Sequence, residues 1–180
     1  MFFRKLRERI ARRLVEIKHH SRQRQREVVD FRQAKTAGLV FSTTSPEDYH
    51  HIKAFINYLK EQQIEVTPLV YVDEKKVPDY YYLNKDLIIL TRKDLSWLHL
   101  PGGYNIKKFI KTPFHILIDL STSFHLPLYY IVCFSAARFK IGRYEEKEYY
   151  DLMIDISANK TTQFLIEQIK HYVSILKNPY

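Results

Sequence analysis

The sequence predicts an α/β protein. The expected fold is a three-layer, Rossmann-like or flavodoxin-like sandwich around a mainly parallel sheet, preceded by a basic N-terminal helix. Three observations carry this. Short apolar runs alternate with amphipathic segments along most of the chain. The connections between apolar runs are too long for hairpins, as crossovers in a parallel sheet must be. The 180 residues are 46% hydrophobic and 27% charged, a globular composition at the size of one domain or a domain plus an appendage.

The elements follow in order. Phe3, Leu6, Ile10, Leu14 and Ile17 recur at helical spacing and form one apolar stripe. That stripe would either dock on the helix's own domain or meet a partner. Residues 18–27 carry no apolar residue, and Val28, Val29 and Phe31 form a short apolar group before the body. Residues 37–43 (AGLVFST) read as a buried strand. Ser45 and Pro46 open a helix that runs to about Gln63, as N-cap and first helical residue. Residues 64–73 are a second strand, and Pro68 argues for an edge position or a bulge there.

Residues 74–85 are charged and tyrosine-rich and are expected as a loop or extended excursion. A strand is expected over 86–91, a helical turn over 93–100 and a short helix over 105–111. A strand over 114–120 and a largely apolar helix over 123–138 come next. Strands over 139–143 and 151–156 and an amphipathic helix over 161–176 complete the set. Leu39–Phe41, Leu87–Leu90, Ile116–Ile118 and Leu152–Ile154 are expected as interior strands.

Charge divides the chain differently. The net charge is +9. Residues 1–35 hold twelve basic side chains, nine of them Arg, against four acidic ones, so the remaining body is nearly neutral. The organisation expected is an Arg-rich helical arm over 1–35 and a Rossmann-like domain over 36–180. Arg grips phosphate bidentately and stacks on bases, which points the arm at a polyanion. Arg4, Arg9, Arg12, Arg13, Arg22, Arg24 and Arg26 are the candidate contacts, with RNA the expected partner. An anionic membrane surface, met through Phe2 and Phe3, or a protein–protein contact through the amphipathic helix are the alternatives.

In an open α/β sheet, ligands bind beyond the carboxyl ends of the strands. Three such ends are polar here. Ser42 and Thr43, Asp119 and Ser121, and Asp155 and Ser157 are expected to face one shared cleft able to hold a sugar or nucleotide. The same groups would also serve as helix caps and loop acceptors. Tyr80, Tyr81 and Tyr82 would stack bases or, in the plainer reading, simply pack.

Other chemistry lacks its residues. Neither a G-x-G-x-x-G nor a P-loop pattern occurs, and no G-x-S-x-G elbow. The eight histidines form no i, i+4 pair, and the single cysteine, Cys133, sits in an apolar run as a core residue would. No metal, no cofactor and no catalytic residue is therefore expected, and a binding module is favoured over an enzyme. No apolar run reaches the ~18 residues of a membrane-spanning helix. The basic N-terminus is not followed by the apolar stretch of a secretory signal, so a cytoplasmic protein is expected.

Residues 114–144, a strand ending Ile-Asp-Leu, a helix ending in small residues and a basic-Ile-Gly strand, resemble the N-terminal Rossmann half of heptosyltransferase-type glycosyltransferases. That resemblance implies a degenerate glycosyltransferase-like domain using the strand ends. Over nearly its whole length the chain also resembles a family of short bacterial proteins known as a domain of unknown function. The basic N-terminal helix, the 37–42 strand, the IDLS segment, Ala137 to Gly142 and Tyr150 to Ile154 carry that likeness. It implies a bacterial, cytoplasmic protein with no assigned activity.

Overall fold

The computed structural model describes residues 2–20, 24–43, 45–145 and 149–176, and within the first helix the side chains of 7 and 9–17. Six strands form one sheet: β1 (Thr36–Phe41), β2 (Glu65–Val72), β3 (Ile88–Thr91), β4 (Ile116–Asp119), β5 (Phe139–Arg143) and β6 (Leu152–Ile154). Their order is β3-β2-β1-β4-β5-β6, and every pair is parallel. Five α-helices accompany them among the described residues: α1 (Phe2–His20), α2 (Pro46–Glu61), α3 (Tyr104–Lys111), α4 (Leu126–Phe134) and α5 (Thr162–Ile175).

The strands are continuous apolar runs because both faces of the sheet are covered. On one face Leu39 and Phe41 of β1, Ile116 and Ile118 of β4, and Phe139 and Ile141 of β5 pack with α2 and α5. On the other, Val40, Leu69, Leu90 and Leu117 pack with α3 and α4. The alternation along each strand is the period-two geometry of a pleated sheet. Gly38 is needed in β1, since a Cβ there would lie 2.9 Å from the Phe114 ring. α2 begins as its sequence requires: the Ser45 hydroxyl accepts from Asp48 N, and Pro46 stands in the first turn.

Several expectations need correction. The runs in β3 and β6 are edge strands, whereas β2, which holds Pro68, is interior. β3 pairs with β2 only from Leu69 onward, so Pro68 faces no neighbour on that side that would need its missing N–H. The helix expected over 123–138 is confined to Leu126–Phe134. Ser135 ends it by accepting Ala137 N, and Ala136 N donates to Ile110 O. The turn expected over 93–100 is a short 3₁₀ segment, Arg92–Asp94, followed by a bridge between Leu95 and Pro101. Within the 74–85 excursion, Asp79–Leu83 is also 3₁₀.

The break in composition after Lys35 is not a break in packing. Val29, Phe31 and Ala34 belong to the main core. Arg24 reaches across the end of the sheet to donate to both Asp151 carboxylate oxygens (2.6 and 2.7 Å) and to the carbonyls of Ala137 and Arg138 (2.8 and 2.6 Å). Asp151 also accepts Lys140 N at 2.8 Å, which ties the same carboxylate to β5. The Arg24 and Asp151 side chains are only 12% and 13% exposed, so water cannot replace either partner well. Arg24→Ala is therefore expected to destabilise the fold by about 3 kcal/mol or more. Arg13→Ala, on the open side of α1, is expected to change it by less than ~0.5 kcal/mol. Urea unfolding of the two variants beside the parent checks the contrast.

Candidate functional site: the β4 strand end and the docked basic helix

With all six strands parallel, their carboxyl ends share one edge of the sheet. The order reverses between β1 and β4, which is the switch point where ligands enter such sheets. The three polar strand ends meet different fates there.

The end of β1 is closed by aromatic packing. Ser42 Oγ donates to Tyr71 O (2.9 Å). Thr43 Oγ1 accepts Ser45 N (3.1 Å) and donates to Asp48 (3.3 Å), which makes it part of the α2 cap. Tyr81 is fully buried against Phe41 and Tyr49, and its hydroxyl donates to Thr43 O at 2.6 Å. Burial pushes that hydroxyl far above its ordinary pKa, so it stays a donor. Tyr80 stacks on Tyr49, while Tyr82 is exposed. The plainer reading of the tyrosine run as packing thus holds for Tyr80 and Tyr81.

The end of β6 is a solvated cap. Asp155 accepts Ser157 N at 2.8 Å, and that N–H holds its carboxyl below the ordinary range. Asp155 and Ser157 are exposed, with β5 between them and β4.

Of the three polar strand ends, that of β4 borders a cavity, and Asp119 and Ser121 of the six expected cleft residues line it. Its volume is about 20 Å³, room for about one water molecule. Asp119 is buried and accepts Ser121 N (2.8 Å) and the Tyr150 hydroxyl (2.7 Å). Burial pushes the Asp119 carboxyl up, against the opposing pull of those donors and of the Arg143 charge. Burial likewise lowers His125, which stands just ahead of α4 with Nε2 3.0 Å from Ser123 Oγ. Arg143, also on the wall, pairs with Glu145. Ser121 Oγ and the Tyr129 hydroxyl are buried beside the cavity without a well-formed hydrogen bond among the described residues, the first beside the Asp119 carboxylate and the second beside Tyr149 and Cys133. A hollow of about 220 Å³ adjoins across Phe124 and His125, bounded by Tyr71, Asp73, His99 and Leu126.

Tyr150 reaches Asp119 because β5 has no side chain at Gly142. A Cβ at that position would overlap the Tyr150 ring. On the same face of β5, Lys140 is 1% exposed and donates Nζ to Val132 O (2.6 Å) and Cys133 O (3.3 Å). A cation at these C-terminal carbonyls of α4 complements the helix dipole. Cys133 is buried, and burial pushes its thiol up to about 12, as suits a core residue.

The remaining wall of the cavity comes from α1. The helix docks on α4 through Ala11 and Val15, which are buried against Leu126, Tyr129, Cys133 and Tyr149. Arg12 lays its guanidinium 4.9 Å from the Phe124 ring centre and 5.9 Å from that of Tyr129, and bonds Glu16 at 3.3 Å. The docked face is therefore not the apolar stripe: Ile10, Leu14 and Ile17 are 47%, 40% and 61% exposed. Arg7, Arg9 and Arg13 are exposed beside them. Arg26 is exposed, with Nε 3.8 Å from Asp151, while Arg24 is spent in the buried clamp. The side chain of Arg4, Arg22 as a whole, and the side chains of Phe2 and Phe3 lie outside the described residues.

Tyr129, Arg143, Tyr150 and Arg7 escaped the sequence reading as site residues. Only Gly142 within an otherwise bulky strand hinted that a ring must lie there. Among the described residues no three His, Cys, Asp or Glu side chains gather to hold a metal, and no helix is long and apolar enough to cross a membrane.

Two substitutions test this geometry. Gly142→Ala is expected to displace Tyr150 and cost about 1–3 kcal/mol, the range for an overpacked core. Tyr150→Phe in the Gly142→Ala background should then add little, which a double-mutant cycle reads directly. Asp119 has a native pKa above its unfolded value, so its ionisation opposes folding, and its contribution falls as pH rises through that window. His125 acts in the opposite sense, with stability rising as pH climbs toward its unfolded value. Asp119→Asn retains an acceptor for Ser121 N and should remove the loss on raising pH. Because the Asp119 charge also pulls His125 upward against burial, the variant should depress His125 further and make the rise of stability with pH steeper. Urea titrations of parent and variant between pH 4 and 8 separate the two.

Comparison with known proteins gives one finding. No curated protein and no solved structure matches this chain, and the likeness of residues 114–144 to heptosyltransferase-type glycosyltransferases is not supported. A family model matches residues 7–176, from within α1 to just past the end of α5. The chain belongs to that family, DUF6913, a family of unknown function.

Proposed function

We propose that this protein is a non-enzymatic binding module of the bacterial cytoplasm that engages a polyanion through α1, with RNA the partner its arginine content first suggests. One observation supports the reading above the others: Arg9 and Arg13 stand exposed on the side of α1 that faces away from its docked Ala11–Val15 pair, with Arg7 exposed nearer that pair, on a helix fixed to a nearly neutral body. The charge is thus held as a surface and not as a loose tail. Arg26 extends it, whereas Arg12 and Arg24 contribute through internal contacts.

A second reading, a small-ligand module at the β4 strand end, is favoured by the buried hydroxyls of Ser121 and Tyr129 on the cavity wall, neither of which makes a well-formed hydrogen bond among the described residues. A sugar or nucleotide hydroxyl entering the cavity would satisfy them. The Asp119 carboxyl already accepts two hydrogen bonds and Cys133 is an inert core thiol, so the reading is of binding and not of catalysis.

Polyanion binding has a quantitative signature. If Arg7, Arg9, Arg13 and Arg26 each neutralise one phosphate, log K against log salt should slope at about −3 to −3.5 on RNA or duplex. Arg9→Gln with Arg13→Gln should flatten the slope by about 1.4–1.8. Removing residues 1–35 would strip Val29, Phe31 and the Arg24 clamp from the fold, so point variants are the cleaner tool. Filter binding between 50 and 300 mM salt makes the measurement, and a flat profile would end the reading.

A further inference from the structure

We infer that the polyanion met by α1 is an anionic lipid surface, onto which the Ile10–Leu14–Ile17 seam inserts. This rests on the polyanion reading and narrows it.

The argument starts from the helix wheel. At about 100° per residue, Ile10, Leu14 and Ile17 fall within about 60° of one another, and the docked pair Ala11 and Val15 is centred roughly 110° away. Arg7 and Arg13 stand on either side of the seam, with Arg9 beyond Arg13. The three seam residues are exposed, as are the three arginines. An apolar seam between cationic borders is the pattern of a helix that lies in a membrane interface: the aliphatic groups enter the acyl boundary and the guanidinium groups meet lipid phosphate.

Other occupants fit less well. Nucleic acid would use the arginines, but three branched aliphatic side chains give unpaired bases no ring to stack on. A second copy of the chain would set Arg7, Arg9 and Arg13 against their own equivalents. The nearly neutral body adds no competing attraction, so the field favouring an anionic surface comes from this helix. The helix is already folded and held by Ala11 and Val15, so docking carries little of the ordering cost that free amphipathic peptides meet. A basic residue near an anionic bilayer is worth roughly fivefold in partitioning.

The test is vesicle co-sedimentation of the full chain with phosphatidylcholine alone and with phosphatidylcholine containing phosphatidylglycerol, with single-stranded RNA as competitor. Two variants accompany it, R9Q/R13Q and I10S/L14S/I17S. Thermal unfolding should match the parent in R9Q/R13Q, whose positions are exposed, and fall only slightly in the seam variant, where Leu14 is part-covered and Ser is a poorer helix former than Leu. Binding should require phosphatidylglycerol, fall about 25-fold in R9Q/R13Q and fall at least about tenfold in the seam variant. RNA binding without vesicle binding would overturn this inference and leave the polyanion reading standing. Vesicle binding that the seam variant does not weaken would overturn insertion of the seam. Binding to neither probe at low salt would remove both readings.

Discussion

Much of this molecule hangs on the Asp151 carboxylate. It takes the Arg24 guanidinium at 2.6 and 2.7 Å and Lys140 N at 2.8 Å, and Arg24 in turn covers the carbonyls of Ala137 and Arg138. Four separate pieces of chain are thereby joined at the amino end of β5. These are the segment leaving α1, the residues that end α4, the start of β5, and the segment that returns to β6. Such a pair gains its strength from seclusion, because neither charge can be rehydrated if the other leaves. Two features of the site follow from it. Tyr150 is the neighbour of Asp151 and is thereby set over Gly142, within reach of Asp119. The chain that carries α1 is brought back to the body beside α4, where Ala11 and Val15 dock.

The same geometry explains why a Rossmann-type strand order hosts no nucleotide loop here. Beyond β1, where a glycine-rich turn would cradle a pyrophosphate, the chain has Ser42 and Thr43 bonded into the sheet and the α2 cap, and Tyr81 fills the space above. The opening is shifted to β4, where it is small and polar and is walled on one side by α1. Arg12 belongs to both regions: it lines the cavity, and it stands on α1 next to the docked Ala11 with its guanidinium over Phe124.

The sequence made some of this legible and hid the rest for definite reasons. Continuous apolar runs reported all six strands, because burial on both faces of a parallel sheet leaves a local signature. Their order left none: the runs of β3 and β6 look as apolar as that of β4, yet they are the edges. Asp119 and Ser121 could be placed at a strand end from spacing alone. Tyr150 could not, since it lies 31 residues from the carboxylate it bonds. The period of α1 was readable, but not which side docks. The large residues Ile10, Leu14 and Ile17 advertised one side, while Ala11 and Val15 allow a closer approach to α4 and let Arg12 cover Phe124 and Tyr129. Likewise, Arg24 among polar neighbours looked like one more solvated arginine. Its acceptors, two carbonyls and Asp151, lie more than a hundred residues away.

The central claim is that α1 is held by its Ala11–Val15 side and turns Leu14 outward to an anionic surface. Cys133 is buried, so a nitroxide on Leu14→Cys can be placed selectively on the seam. The account predicts a spectrum of a mobile, water-accessible label in the free protein. On phosphatidylglycerol vesicles the label should slow and become more accessible to oxygen than to a water-soluble nickel complex. A label already immobilised and shielded in the free protein, or one indifferent to the vesicles, would contradict it.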